Sequence, residues 1–120
     1  MNRIVLTIAF LSHLIVFAQT SEKYNSDYVD YYRAEELFQK EQYGAARMEF
    51  RNFMEKYRHP DDPMYLKASY YEAISALELY NNDAVALLEQ FNKDYPESIY
   101  RKDIYFRLGK FYYYKKDYED

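Results

Sequence analysis

Residues 46–57, ARMEFRNFMEKY, and residues 84–95, AVALLEQFNKDY, decide the fold of this chain. Laid over one another they align Ala46 with Ala84, Phe50 with Leu88, Phe53 with Phe91 and Tyr57 with Tyr95, each pair displaced by the same 38 residues. Within each copy these positions recur at i, i+4, i+7 and i+11, the spacing of one face of an α-helix. A second set of small residues, Ala34, Ala73 and Gly109, recurs at intervals of 39 and 36 in the helix that partners each copy. Small side chains there let two helix backbones approach closely. A period in the high thirties, built from two helices, predicts an all-α fold. Its antiparallel helix pairs would stack as an α-solenoid of about two and a half repeats.

Start and stop signals bound the helices. Asp27 is placed to cap a first helix running to about Lys40, with Tyr28, Tyr31, Ala34, Leu37 and Phe38 along its apolar stripe. A second runs from Tyr43 to about Tyr57. Asp62 before Pro63 marks the start of a third, since proline lacks an N–H that the first turn would leave unpaired anyway. That helix reaches about Tyr80. Asn82 is placed to cap a fourth, carrying Leu87 beside the repeated positions and stopped by Pro96, and Ser98 a fifth reaching Lys116. Having only two glycines and three prolines argues against a turn-rich sandwich or barrel. Residues 27–60 form the first repeat, 61–97 the second, and 98–120 the first helix of a third. The expected second helix of that third repeat falls beyond Asp120, so the chain reads as a piece of a longer array. Phe106, Phe111, Tyr112 and Tyr113 would then await cover.

Residues 1–18 read as an export signal. Arg3 is the basic start, Ile4 to Phe17 the apolar run, and Val16-Phe17-Ala18 the small-residue cleavage pattern ahead of Gln19. The run is shorter than the roughly 20 residues a spanning helix needs. Residues 19–26 form a polar tether. The net charge is −4. Removing Arg3 leaves 15 basic against 20 acidic side chains, a net of 15 − 20 = −5. That balance argues against nucleic acid as a partner and against attraction to an anionic membrane surface. The absence of cysteine leaves packing alone to hold the fold and removes any thiol for a lipid anchor, so no direct membrane anchor is expected after cleavage.

The spacing also resembles a known family. Tyr105, Leu108, Gly109, Tyr112 and Tyr118 match the first-helix pattern of the tetratricopeptide repeat, Tyr43, Ala46 and Phe50 match its second helix, and Pro96 stands where the repeat closes. The string from Phe91 to Tyr118 is most similar to the bacterial envelope branch, such as outer-membrane assembly lipoproteins and Tol-Pal associated repeat proteins. The chain departs from the pattern at Arg33-Ala34 and Glu72-Ala73, which replace Leu-Gly, and in lacking the lipobox cysteine. The resemblance implies a protein-binding scaffold in the periplasm or envelope of a Gram-negative bacterium. It also implies that first helices line a concave groove. Tyr32, Arg33, Glu36, Lys67, Tyr70, Arg107 and Lys110 are the candidates to clasp a peptide there. The candidates for packing between repeats are Ala34, Ala46, Phe50, Phe53, Ala73, Ala84, Leu88, Phe91, Leu108, Gly109 and Tyr112, and Tyr31, Tyr71, Tyr105 and Tyr118 join them as core tyrosines.

Catalytic chemistry has few candidates. His13 falls in the export signal, and His59 sits in the His-Pro-Asp-Asp-Pro turn, where it reads as part of a solvated loop and helix cap and not as a metal site. Asp61 and Asp62 lack the ladder of a calcium loop. Gly44 and Gly109 stand alone, which excludes a phosphate-cradling loop, and Ser69, Ser75 and Ser98 have neither a glycine elbow nor a nearby histidine. The sequence therefore predicts no enzyme, no metal and no cofactor. Two other readings remain open: a helical arm of a larger enzyme or sensor whose working domain lies beyond residue 120, and a glycan or small-ligand site in an aromatic groove.

Overall fold

The computed structural model describes residues 28–119, and over them the protein is built of helices with no strand. In chain order these are α1 Val29–Gln39, α2 Tyr43–Tyr57, α3 Pro63–Glu78, α4 Ala84–Asp94 and α5 Arg101–Glu119. The expected export signal, the tether and the Asp27 cap lie outside the described residues, as does the side chain of Tyr118.

Each helix packs on the next in sequence, and α1 also touches α3. One apolar cluster joins α1, α2 and the start of α3 through Tyr28, Tyr31, Ala34, Ala46, Phe50, Phe53 and Ala68. A second joins α3, α4 and α5 through Tyr70, Ala73, Ile74, Leu77, Ala84, Leu88, Phe91, Ile104 and Leu108. Phe38 and Tyr71, with ring centroids 4.8 Å apart, contact both clusters and link them. Ala34, Ala46, Ala73 and Ala84 are all fully or nearly fully buried, so their small side chains sit where neighbouring helices meet.

Contacts recur along the chain at the spacing of the sequence repeat. Tyr31 meets Phe53 edge-on at 5.7 Å, and Tyr70 meets Phe91 in the same way at 5.9 Å. Phe53 lies 5.2 Å from Tyr57, and Phe91 lies 5.0 Å from Tyr95. The turn closing α1 also reappears after α3. Gln42 N–H donates to Leu37 O and Glu41 N–H to Phe38 O, while Asn81 N–H donates to Ala76 O and Tyr80 N–H to Leu77 O. This paired-bond ending satisfies carbonyls that the last helical turn leaves open. It needs a left-handed residue, supplied by Glu41 at φ 58° and Tyr80 at φ 54°. For that reason α3 stops at Glu78, short of Tyr80.

Two polar hubs fix the helix ends. Asp62 Oδ1 caps α3 by accepting from Met64 N–H at 2.7 Å. Its Oδ2 accepts from the hydroxyls of Tyr28 and Tyr57, each at 3.0 Å. One carboxylate thus ties the start of α1, the end of α2 and the start of α3. The second hub is Arg47 on α2, which donates to Glu72 Oε1 at 3.0 Å, to Asn81 Oδ1 at 2.5 Å and to Asp83. The expected cap at Asn82 differs accordingly. Asp83 precedes α4 and caps nothing with its side chain, because Arg47 has captured that carboxylate. Ser98 Oγ accepts from Tyr100 N–H at 3.2 Å in a turn just ahead of α5.

Candidate functional site

Side chains of central α3 reach α5 through a relay of polar groups. Tyr70 on α3 donates its hydroxyl to Asp103 Oδ2 at 2.5 Å. Arg107 Nε donates to the same oxygen at 2.6 Å, and its Nη1 reaches back to Glu78 Oε1 on α3 at 2.9 Å. Burial and the neighbouring Asp103 carboxylate push the Tyr70 phenol above its ordinary range, so it stays a neutral donor. Burial disfavours the Arg107 charge, but hydrogen bonding to Asp103 and the acids nearby outweigh it and hold the cation firmly protonated. Tyr100 stacks on Tyr70 with ring centroids 4.1 Å apart, which seats the start of α5.

Beyond this relay the two helices enclose an open cleft of about 680 Å³. Its apolar lining comes from Leu77 and Phe111, and its charged rim from Glu78, Arg107, Lys110 and Lys115. Tyr80 and Tyr114 also line it. Of the charged side chains on that rim, Glu78 and Arg107 are bound to each other. Lys110 Nζ stands 5.8 Å from the centroid of the Tyr114 ring, a cation held over an aromatic face.

Tyr80 is the least expected member. It adopts φ 54°, a left-handed conformation that costs a side-chain-bearing residue roughly 1–2 kcal/mol and that glycine adopts freely. Its side chain is 81% exposed. Neither the turn nor the core gains from a tyrosine there.

Comparison with protein-family models, with curated proteins and with solved structures finds no match to this chain.

The structure does not gather the seven groove candidates from the sequence into one surface. Arg107 and Lys110 line the cleft. Tyr70 is a correction: it is buried, because α3 is covered on several sides and its hydroxyl reaches Asp103. Tyr32, Arg33 and Glu36 are exposed on α1, where Tyr32 lies edge-on to Tyr31, Arg33 stands 3.8 Å from both Asp30 and Glu49, and Glu36 binds Lys40 at 2.5 Å. Lys67 is exposed on α3. Among the packing candidates, Phe50, Phe53, Leu88, Phe91 and Leu108 are buried with the four alanines. Gly109, Tyr112 and Tyr105 differ: they face outward, and a Cβ added at Gly109 would meet nothing within 4 Å. No described helix covers that side of α5.

Sequence reasoning passed over Tyr80. Its signal was a helix ending at Leu-Glu-Leu-Tyr-Asn-Asn with no glycine to take the left-handed position. His59 lies edge-on to Tyr57 at 4.7 Å. Among the described residues no three His, Asp or Glu side chains are placed to hold a metal ion, and no helix is long and apolar enough to cross a membrane.

Proposed function

We propose that this chain is an exported tetratricopeptide-type scaffold of the bacterial cell envelope, which holds other proteins through the cleft between α3 and α5 and carries out no catalysis. The reading rests above all on Tyr80, a strained and exposed tyrosine at the cleft where glycine would serve the fold better. Glu41 and Arg58 take the same left-handed conformation away from the cleft, so it is the exposed aromatic ring of Tyr80, set beside the cleft, that suits a binding role. The recurring Tyr31–Phe53 and Tyr70–Phe91 contacts support the repeat type, and the pattern of residues 3–18 supports export. The lining of the cleft suits a partner segment that brings an apolar side chain to Leu77 and Phe111 and a carboxylate to Lys110.

Tyr80→Gly tests this reading, because fold and function make opposite demands on the residue. The variant is expected to gain about 1 kcal/mol in urea unfolding, since glycine adopts the left-handed turn without strain. It is also expected to recover less partner when used as bait in an envelope extract. A more stable variant that captures the same proteins equally well would remove Tyr80 from the binding surface. Wild-type bait that captures no protein would sink the scaffold reading itself.

A further inference from the structure

The cleft uses one side of α5, and the opposite side carries a second pattern. Tyr105, Phe106, Tyr112 and Tyr113 are all at least half exposed, and Gly109 lies among them with open space around it. Their order is palindromic about the glycine. Phe106 and Tyr112 stand three residues to either side of Gly109, Tyr105 and Tyr113 four, and Lys102 and Lys116 seven. Offsets of three, four and seven share one helical face, so this is a single aromatic stripe that reads the same from either end.

We propose that α5 pairs antiparallel with α5 of a second copy of this chain, with the two-fold axis passing at Gly109. A two-fold contact places the same patch on both subunits and so requires self-complementarity, which a palindromic face supplies. Across the axis Phe106 meets the second copy's Tyr112, and Tyr105 meets its Tyr113. Arg101 already steadies the Tyr105 ring, its guanidinium 5.6 Å from the ring centroid. Gly109 lets the two backbones come together where they cross. Among the described residues nothing packs on this glycine: a methyl there would touch nothing, and a helix interior disfavours glycine by about 1 kcal/mol relative to alanine. The lysines add a signature. Lys102 faces the second copy's Lys116 at both ends of the contact, so their repulsion opposes pairing and salt relieves it. The pairing leaves the cleft side of α5 open and stands independently of what the cleft binds.

Sedimentation equilibrium of the full chain across the micromolar range tests the proposal. The expected result is a reversible monomer–dimer equilibrium that tightens as salt is raised. Gly109→Leu should weaken it about tenfold or more by forcing the backbones apart, while the monomer unfolds no more easily. Lys102→Glu should tighten it severalfold at low salt and reverse the salt dependence, by setting a carboxylate against Lys116. A chain that stays monomeric throughout, or association that Gly109→Leu leaves unchanged, overturns the proposal. So does a salt dependence that Lys102→Glu leaves unaltered.

Discussion

Phe50→Ala is expected to cost about 3–5 kcal/mol of folding stability, the usual range for deleting a fully buried phenylalanine from a close-packed core. Phe50 has no exposed surface. Its ring lies 5.8 Å from Tyr31, 6.5 Å from Phe38 and 5.7 Å from Tyr71, the last nearly parallel at 19°. Those neighbours come from α1 and α3, so the ring on α2 is the common filling between three helices. Truncation leaves a cavity that fixed helix axes cannot close. Against the roughly 5–15 kcal/mol that holds a domain together, the loss leaves little margin. Urea unfolding followed by far-ultraviolet circular dichroism measures it, and Ile99→Ala supplies the contrast. Ile99 is 87% exposed, so its truncation should change stability by under about 0.5 kcal/mol. Similar losses at both positions would contradict the packing described.

Asp62→Ala is expected to cost about 2–4 kcal/mol, because one substitution removes a helix cap and two charge-assisted hydrogen bonds. The wild-type carboxyl also makes stability depend on pH. Burial disfavours its ionisation, but Met64 N–H and the Tyr57 and Tyr28 hydroxyls outweigh that and hold it below the usual carboxylate range. A depressed folded pKa contributes stability that is fully present above the unfolded value of about 4 and is lost as pH falls through the folded value. The Asp83 carboxyl is lowered too, by its hydrogen bond from Arg47, and adds a smaller, solvent-screened share in the same direction. Thermal midpoints should therefore hold steady from neutral pH down to about 5 and drop below it. In Asp62→Asn the drop should be shallower. A wild-type midpoint that is flat through acid pH would show that Asp62 does not hold the three helix ends.

The all-helical architecture was legible in the sequence because α2 and α4 each show one face to their neighbours. Ala46, Phe50 and Phe53 on α2, like Ala84, Leu88 and Phe91 on α4, are buried on a single stripe, and a single stripe is what periodicity detects. Central α3 defeated the same reading. Residues 72 to 77 are buried without a break, so spacing could not separate a groove tyrosine from a core one, and Tyr70 was assigned to the surface. Its partner Asp103 lies 33 residues away, a pairing that no local pattern announces. Asn82 misled for a related reason: Arg47, from another helix, decided what Asp83 would bind. Of the cleft lining, Arg107 and Lys110 were among the groove candidates named from the sequence. Tyr80 was not, since the left-handed turn it occupies ordinarily signals itself by glycine.

The claim that the cleft between α3 and α5 receives a protein is tested most directly by placing a photo-crosslinking amino acid at Tyr80 of the full chain in cells and irradiating. The account predicts a discrete protein adduct at Tyr80 and none at Met48, an exposed α2 position outside the cleft lining. No adduct at Tyr80, or the same adducts at both positions, would contradict it.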